Sequence, residues 1–144
     1  MSEQTETALA LFDQKYNCCQ AVFTAFAPQF GIPEEIALKL ASPFGRGVAQ
    51  QGHICGAVTG ALLALGAGRG ADLPAKKEET YRLGEELLRS FETKHGTLLC
   101  RELIGCDLRT PQGLSLARQK GVFASICPQL VRDAVEIAQE FVKP

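Results

Sequence analysis

The sequence predicts an all-α fold: a compact single-domain bundle of about six to eight helices, with residues 1–144 forming one helical domain that carries a four-cysteine site. Three observations predict it. Apolar residues recur three and four apart through most of the chain, which is the period of a helix face. No run alternates apolar and polar residues with β-branched side chains, and no Asn-Gly hairpin turn occurs. Glycine and proline cut the sequence into blocks of helical length, with no linker or low-complexity tract between them.

The elements follow in order. A first helix is expected over 5–14. A second opens at Asn17, whose side chain suits a cap, and Gln20 three residues on completes a capping box. Cys19, Val22, Phe23, Phe26 and Phe30 form its apolar stripe, and Gly31 ends it. Pro33 starts a third helix over 33–41, with Glu34 and Glu35 in the first turn, where negative charge is favoured. A glycine-rich loop spans 42–52. The fourth helix, near 54–65, is apolar on nearly all sides and is expected to be buried at the centre. Gly56 and Gly60 weaken it, so close approach of another helix is the expected reason for them.

A long amphipathic helix is expected over 75–95, with Tyr81, Gly84, Leu88, Phe91 and His95 on one face, stopped by Gly96. Thr97 is expected to cap a short helix over 98–104. Residues 111–126 read as one helix broken near Gly121. The last helix begins at Pro128, with Val131, Ala134, Val135, Ala138, Phe141 and Val142 on its core face.

Composition narrows function by exclusion. A formal net charge of −1 with no run of like charge predicts no nucleic-acid partner. The apolar stretch from Cys55 to Leu65 is shorter than the roughly 20 residues a membrane span needs. The polar, acidic start of the chain lacks the pattern of a secretory signal. A cytoplasmic location is therefore expected. Six cysteines are many for such a chain, and in a reducing cytosol that number points to ligands or redox groups more than to structural disulfides. The plain alternative is that free cysteines act as small hydrophobes in the core.

Cys18, Cys55, Cys100 and Cys127 each fall at the expected start of a helix. A helix N-terminus offers unpaired N–H donors and partial positive charge. Both stabilise a thiolate, which is the nucleophilic, redox-active and metal-binding form of cysteine. Convergence of these four ends is expected to build the site. The long separations between them, with no CxxC, exclude local zinc-finger and ferredoxin spacings.

The same residues carry a resemblance. Asn17-Cys18-Cys19-Gln20-Ala21-Val22, Cys55-Gly56-Ala57-Val58-Thr59-Gly60, Cys100-Arg101-Glu102-Leu103 and the segment from Cys127 to Val131 occur in the order that defines the C_GCAxxG_C_C family of redox-active proteins. The chain resembles that family from about Tyr16 to Phe141. The resemblance implies a helical fold and a redox role. The family is also similar to the part of split-Soret cytochromes that carries a non-haem iron–sulfur centre. This chain has no CxxCH, so no c-type haem is expected. Cys19 and Cys106 are additions to the family pattern: Cys19 is expected to pack, and Cys106 to be a bystander or a resolving thiol.

Three functional readings follow. In the first, Cys18, Cys55, Cys100 and Cys127 bind an iron–sulfur cluster or zinc, since four thiolates are the ligand count for either. In the second, they are the catalytic redox groups of a metal-free thiol–disulfide protein. In the third, they are structural residues of a non-catalytic interaction module, for which an exposed apolar patch or homodimer surface would speak. An electron donor or acceptor is the implied partner of the first two, and the sequence does not identify it. His53 is a lesser candidate for a ligand or proton donor, with solvent exposure as its default. His95 is expected in the last turn of its helix, and Arg46 is expected to be solvated, pairing with an anion being the alternative.

Overall fold

The computed structural model describes residues 1–143. Among the described residues, nine α-helices run α1 Glu3–Asp13, α2 Cys18–Phe26, α3 Glu34–Ala41, α4 Gly56–Arg69, α5 Lys77–His95, α6 Cys100–Ile104, α7 Pro111–Lys120, α8 Val122–Ser125 and α9 Cys127–Phe141, with α8 a single turn. The one extended pairing among the described residues is an antiparallel bridge between Ile54 and Leu99.

The start of α2 follows its sequence signals. Asn17 Oδ1 accepts from the Gln20 amide at 2.9 Å, and Gln20 Oε1 accepts from the Asn17 amide at 2.9 Å. The same two side chains reach across to α3: Asn17 Nδ2 donates to the Ser42 carbonyl and Gln20 Nε2 to the Leu38 carbonyl, each at 3.0 Å. Pro28 turns the end of the helix into a 3₁₀ segment, Ala27–Phe30, which Gly31 closes at φ 80°. Gly121, at φ 66°, separates α7 from α8 where a break was expected.

Several expectations shift. Helix α1 starts earlier, capped by Ser2, whose side chain accepts from the Thr5 amide. Pro33 stands just outside α3. Thr97 does not cap α6; its Oγ1 accepts from the Leu99 amide and braces the loop ahead of the helix. On α5 the buried line is Leu83, Leu87 and Phe91, while Tyr81 is 64% exposed. Leu83 and Leu87 lie one turn apart below Phe91, so they share its face, and the shorter apolar side chains win the core over tyrosine.

Helix α4 is central, packed on α2, α5 and α9. Gly60 is the reason α2 can lie so close: a Cβ there would stand 2.9 Å from the Cys19 carbonyl oxygen and 3.0 Å from Val22 Cβ. Helix α9 buries Val131, Ala134, Val135 and Ala138 against the main core. A second cluster, under the loop after α6, gathers Cys100, Ile104, Cys106, Leu108, Ala117, Val122 and Cys127.

One polar anchor joins α5 to α9. Asp133 is 2% exposed. Its Oδ1 accepts from Lys94 Nζ at 3.1 Å and from Gln129 Nε2 at 2.9 Å, and its Oδ2 lies 2.8 Å from His95 Nε2. His95 also packs on Phe91, with ring centroids 4.6 Å apart. Replacing Asp133 by alanine strips an acceptor from Lys94 and Gln129 and removes the carboxylate beside the His95 ring. We expect it to destabilise the chain by about 1–3 kcal/mol, read as a lower urea midpoint at unchanged slope. Asp133→Asn keeps an acceptor and should lose less.

Candidate four-cysteine site

The structure places the four cysteines where helices begin. Cys18, Cys100 and Cys127 are the first residues of α2, α6 and α9, and Cys55 caps α4. All four line one cavity of ≈ 440 Å³. Cys55, Cys100 and Cys127 are 3%, 8% and 6% exposed, and Cys18 is half-buried. All six cysteines are free thiols.

Backbone bonds fix the spacing of two of them. The Cys55 amide donates to the Leu98 carbonyl at 2.8 Å, and the Cys100 amide donates to the His53 carbonyl at 2.7 Å. With the Ile54–Leu99 bridge between them, these bonds hold the starts of α4 and α6 side by side. Gly56 sets the approach of Cys18, since a Cβ at that position would lie 3.2 Å from Cys18 Cβ and 3.1 Å from the Cys19 amide nitrogen. The glycines at 56 and 60 thus bring the first cysteine segment onto the second.

The loop before α4 holds five consecutive residues in left-handed backbone. Arg46, Gly47, Val48, Ala49 and Gln50 have φ of 55, 73, 64, 48 and 65°, a left-handed turn in which only one residue is glycine. Left-handed backbone costs each side-chain-bearing residue about 1–2 kcal/mol, so its surroundings must enforce it. The His53 amide donates to the Gly47 carbonyl at 2.9 Å, and the Gln50 amide to the Gly45 carbonyl at 3.0 Å. A Cβ on Gly47 would stand 2.7 Å from Cys100 Cβ, so the turn is seated directly on that cysteine. Its effect is to deliver Arg46 to the cavity wall. There the Arg46 guanidinium carbon sits 5.0 Å from the Phe123 ring centroid, and Nη1 donates to Gln50 Oε1 at 2.7 Å.

The thiols are not electrostatically equivalent. Cys127 is held below the usual thiol range, first because the Cys18 thiol donates a hydrogen bond to it, with burial opposing and the Arg46 charge assisting. Cys18 is raised by that same bond, then by burial and by the neighbouring thiols. Burial pushes Cys55 up to about 11, partly opposed by the Ala57 and Val58 amides, and Cys100 up to about 12, partly opposed by Arg46. The expectation that every helix start lowers its thiol is not met: Cys127 alone is lowered, and by Cys18 and Arg46 rather than by its helix start. At Cys18 the bond to Cys127 raises the thiol first and burial second, while at Cys55 and Cys100 loss of water costs the anion most, and at Cys55 it outweighs the Ala57 and Val58 amides of the helix start.

The remaining sequence candidates lie apart from the cavity lining. Cys19 is fully buried between α2 and α4, pushed up to about 12 by burial against a hydrogen bond with Thr59. Cys106 is buried in the second cluster. The His53 side chain is exposed, and its backbone supplies the structural bonds. The sequence missed Arg46, Phe12, Tyr16 and Phe123 as lining residues. Among the described residues, no three His, Cys, Asp or Glu side chains close on a point that could hold a single metal ion. Among the described residues, no helix is long and apolar enough to cross a membrane.

An all-helical chain with four helix-start thiols around one cavity is, in class, a cysteine-centred helical protein. It belongs to the family described as "Putative redox-active protein (C_GCAxxG_C_C)", whose sequence profile matches residues 16–141. No curated protein and no solved structure matches the chain.

Proposed function

We propose that the chain is an electron-transfer protein in which Cys18, Cys55, Cys100 and Cys127 hold an iron–sulfur cluster. The observation that supports it most is the meeting of four thiols from four helices at one cavity. The donors fit such a group in kind and number. The bound group would supply one-electron chemistry. The protein's part is to present four sulfurs on rigid helix starts and to exclude water with Phe12, Leu103, Ile104, Phe123 and Leu130.

A second reading has its own support. Cys18 and Cys127 line the same cavity, and their thiols are shifted in opposite directions, Cys127 down and Cys18 up. In a metal-free chain these two would form a disulfide, giving up two electrons to an acceptor.

The deciding experiment is anaerobic purification followed by iron, acid-labile sulfide and visible-spectrum measurements. Iron and sulfide in matching amounts are expected. Absence of both, even after supply of ferrous iron and sulfide, overturns the cluster reading. Reversible loss of two thiols at Cys18 and Cys127 on oxidation would then establish the disulfide reading.

A further inference from the structure

We infer that the cysteine cavity admits a small organic carboxylate, bound by Arg46, with Lys15 as a second cation on the cavity lining. This rests on the reading of the cavity as the redox site and names the class of molecule that approaches it.

The two cations are placed there at a cost. Lys15 and Arg46 both line the cavity, and both have positive φ, 79° and 55°. Glycine would adopt either conformation freely; at each of these positions the chain instead carries a cation into the wall of one cavity. Lys15 follows α1, and Arg46 belongs to the loop before α4, so the two come from separate parts of the chain.

Neither cation has an ion-pair partner among the described residues. Asp13 is the one carboxylate among the lining residues, against two cations. Arg46 gives a single Nη1 hydrogen to Gln50, and its guanidinium carbon lies over the Phe123 ring, 5.0 Å from the centroid. A guanidinium has five N–H donors, so a planar pair remains for a bidentate carboxylate. The cavity of ≈ 440 Å³ has the dimensions of a small-molecule site, with Phe12, Tyr16 and Phe123 to meet an apolar body.

The test compares iodoacetate, an anion, with iodoacetamide, its neutral analogue, on the reduced full-length chain after iron removal. The same thiolate attacks both reagents: a carbon–sulfur bond forms and iodide leaves. The rate ratio therefore cancels thiol ionisation and reports charge recognition alone. With modification read at each cysteine by mass spectrometry, the iodoacetate-to-iodoacetamide ratio at Cys127 is expected to exceed that of N-acetylcysteinamide, a thiol with no other charge, by about tenfold at low salt. Arg46→Gln should return it to the N-acetylcysteinamide value, and Lys15→Gln should lower it in part. Arg46→Lys keeps the charge but not the fork and should retain a substantial share, which separates recognition from a packing defect against Phe123. A native-chain ratio equal to that of N-acetylcysteinamide, or one unchanged by Arg46→Gln, overturns the inference. Iron and sulfide uptake by the native chain is scored separately: its failure with the ratio intact sinks the cluster reading alone.

Discussion

Cys127→Ser and Cys55→Ser are each expected to drop iron and acid-labile sulfide from full occupancy to background, while Cys19→Ala and Cys106→Ala leave both in place. The division follows position. Cys127 and Cys55 line the cavity and lie at the starts of α9 and α4. Cys19 is buried between helices with Thr59 as its partner, and Cys106 packs in the second cluster outside the cavity lining. Serine keeps nearly the size of cysteine, so loss of iron in these variants reports loss of a ligand. Because the four thiols come from α2, α4, α6 and α9, a bound group also ties the helices together. Binding at 100 times the dissociation constant contributes about 2.7 kcal/mol of stability. For a chain of this size that corresponds to a melting temperature about 5–10 °C higher. Chelation should remove that increment from the native chain and change nothing in Cys127→Ser. Iron retained at native levels in Cys127→Ser, with the same chelator response, would sink the ligand assignment.

Much of this site was legible because its signals are local. Asn17 and Gln20 mark the start of α2 by hydrogen bonds within one turn, so Cys18 could be placed from a four-residue pattern. Gly121 and Pro128 punctuate the end of the chain equally locally and locate Cys127. What escaped depends on contacts between distant segments. The left-handed turn at 46–50 is invisible because Arg46, Val48, Ala49 and Gln50 are residues that normally avoid that backbone. It is enforced by His53 and Cys100, which local pattern does not connect to it. Arg46 was accordingly expected in solvent, and the structure sets it on Phe123. The thiol ionisations escaped for a related reason. The helix-end effect can be read from sequence, but burial, which outweighs it at Cys55 and Cys100, follows from packing. The face of α5 was misplaced because Tyr81 counts as apolar in a periodicity although its hydroxyl end favours water.

Gly60→Ala and Gly66→Ala should have opposite effects, although both place alanine inside the same helix. Alanine is the better helix former by about 1 kcal/mol, and at Gly66 nothing lies within 4 Å of the added Cβ. That variant should gain about 0.5–1 kcal/mol. At Gly60 the added Cβ meets the Cys19 carbonyl oxygen at 2.9 Å, Val22 Cβ at 3.0 Å and Cys19 Cα at 3.2 Å. Two of those atoms are backbone of α2, so no rotamer change relieves them and the two helices must part. Overpacking of this kind costs about 1–3 kcal/mol, and with two backbone contacts at or below 3.2 Å its upper range applies, so against the gain in helix propensity the net change should be a loss of up to about 2 kcal/mol in urea unfolding. The consequence reaches the site. Parting α2 from α4 draws Cys18 away from Cys55, because Gly56, one turn before Gly60, is where α2 touches the start of α4. Gly60→Ala should therefore lower iron retention as well as stability, while Gly66→Ala raises stability and leaves iron untouched. If Gly60→Ala matched Gly66→Ala in both measurements, the tight α2–α4 contact would not be what sets the cysteine geometry.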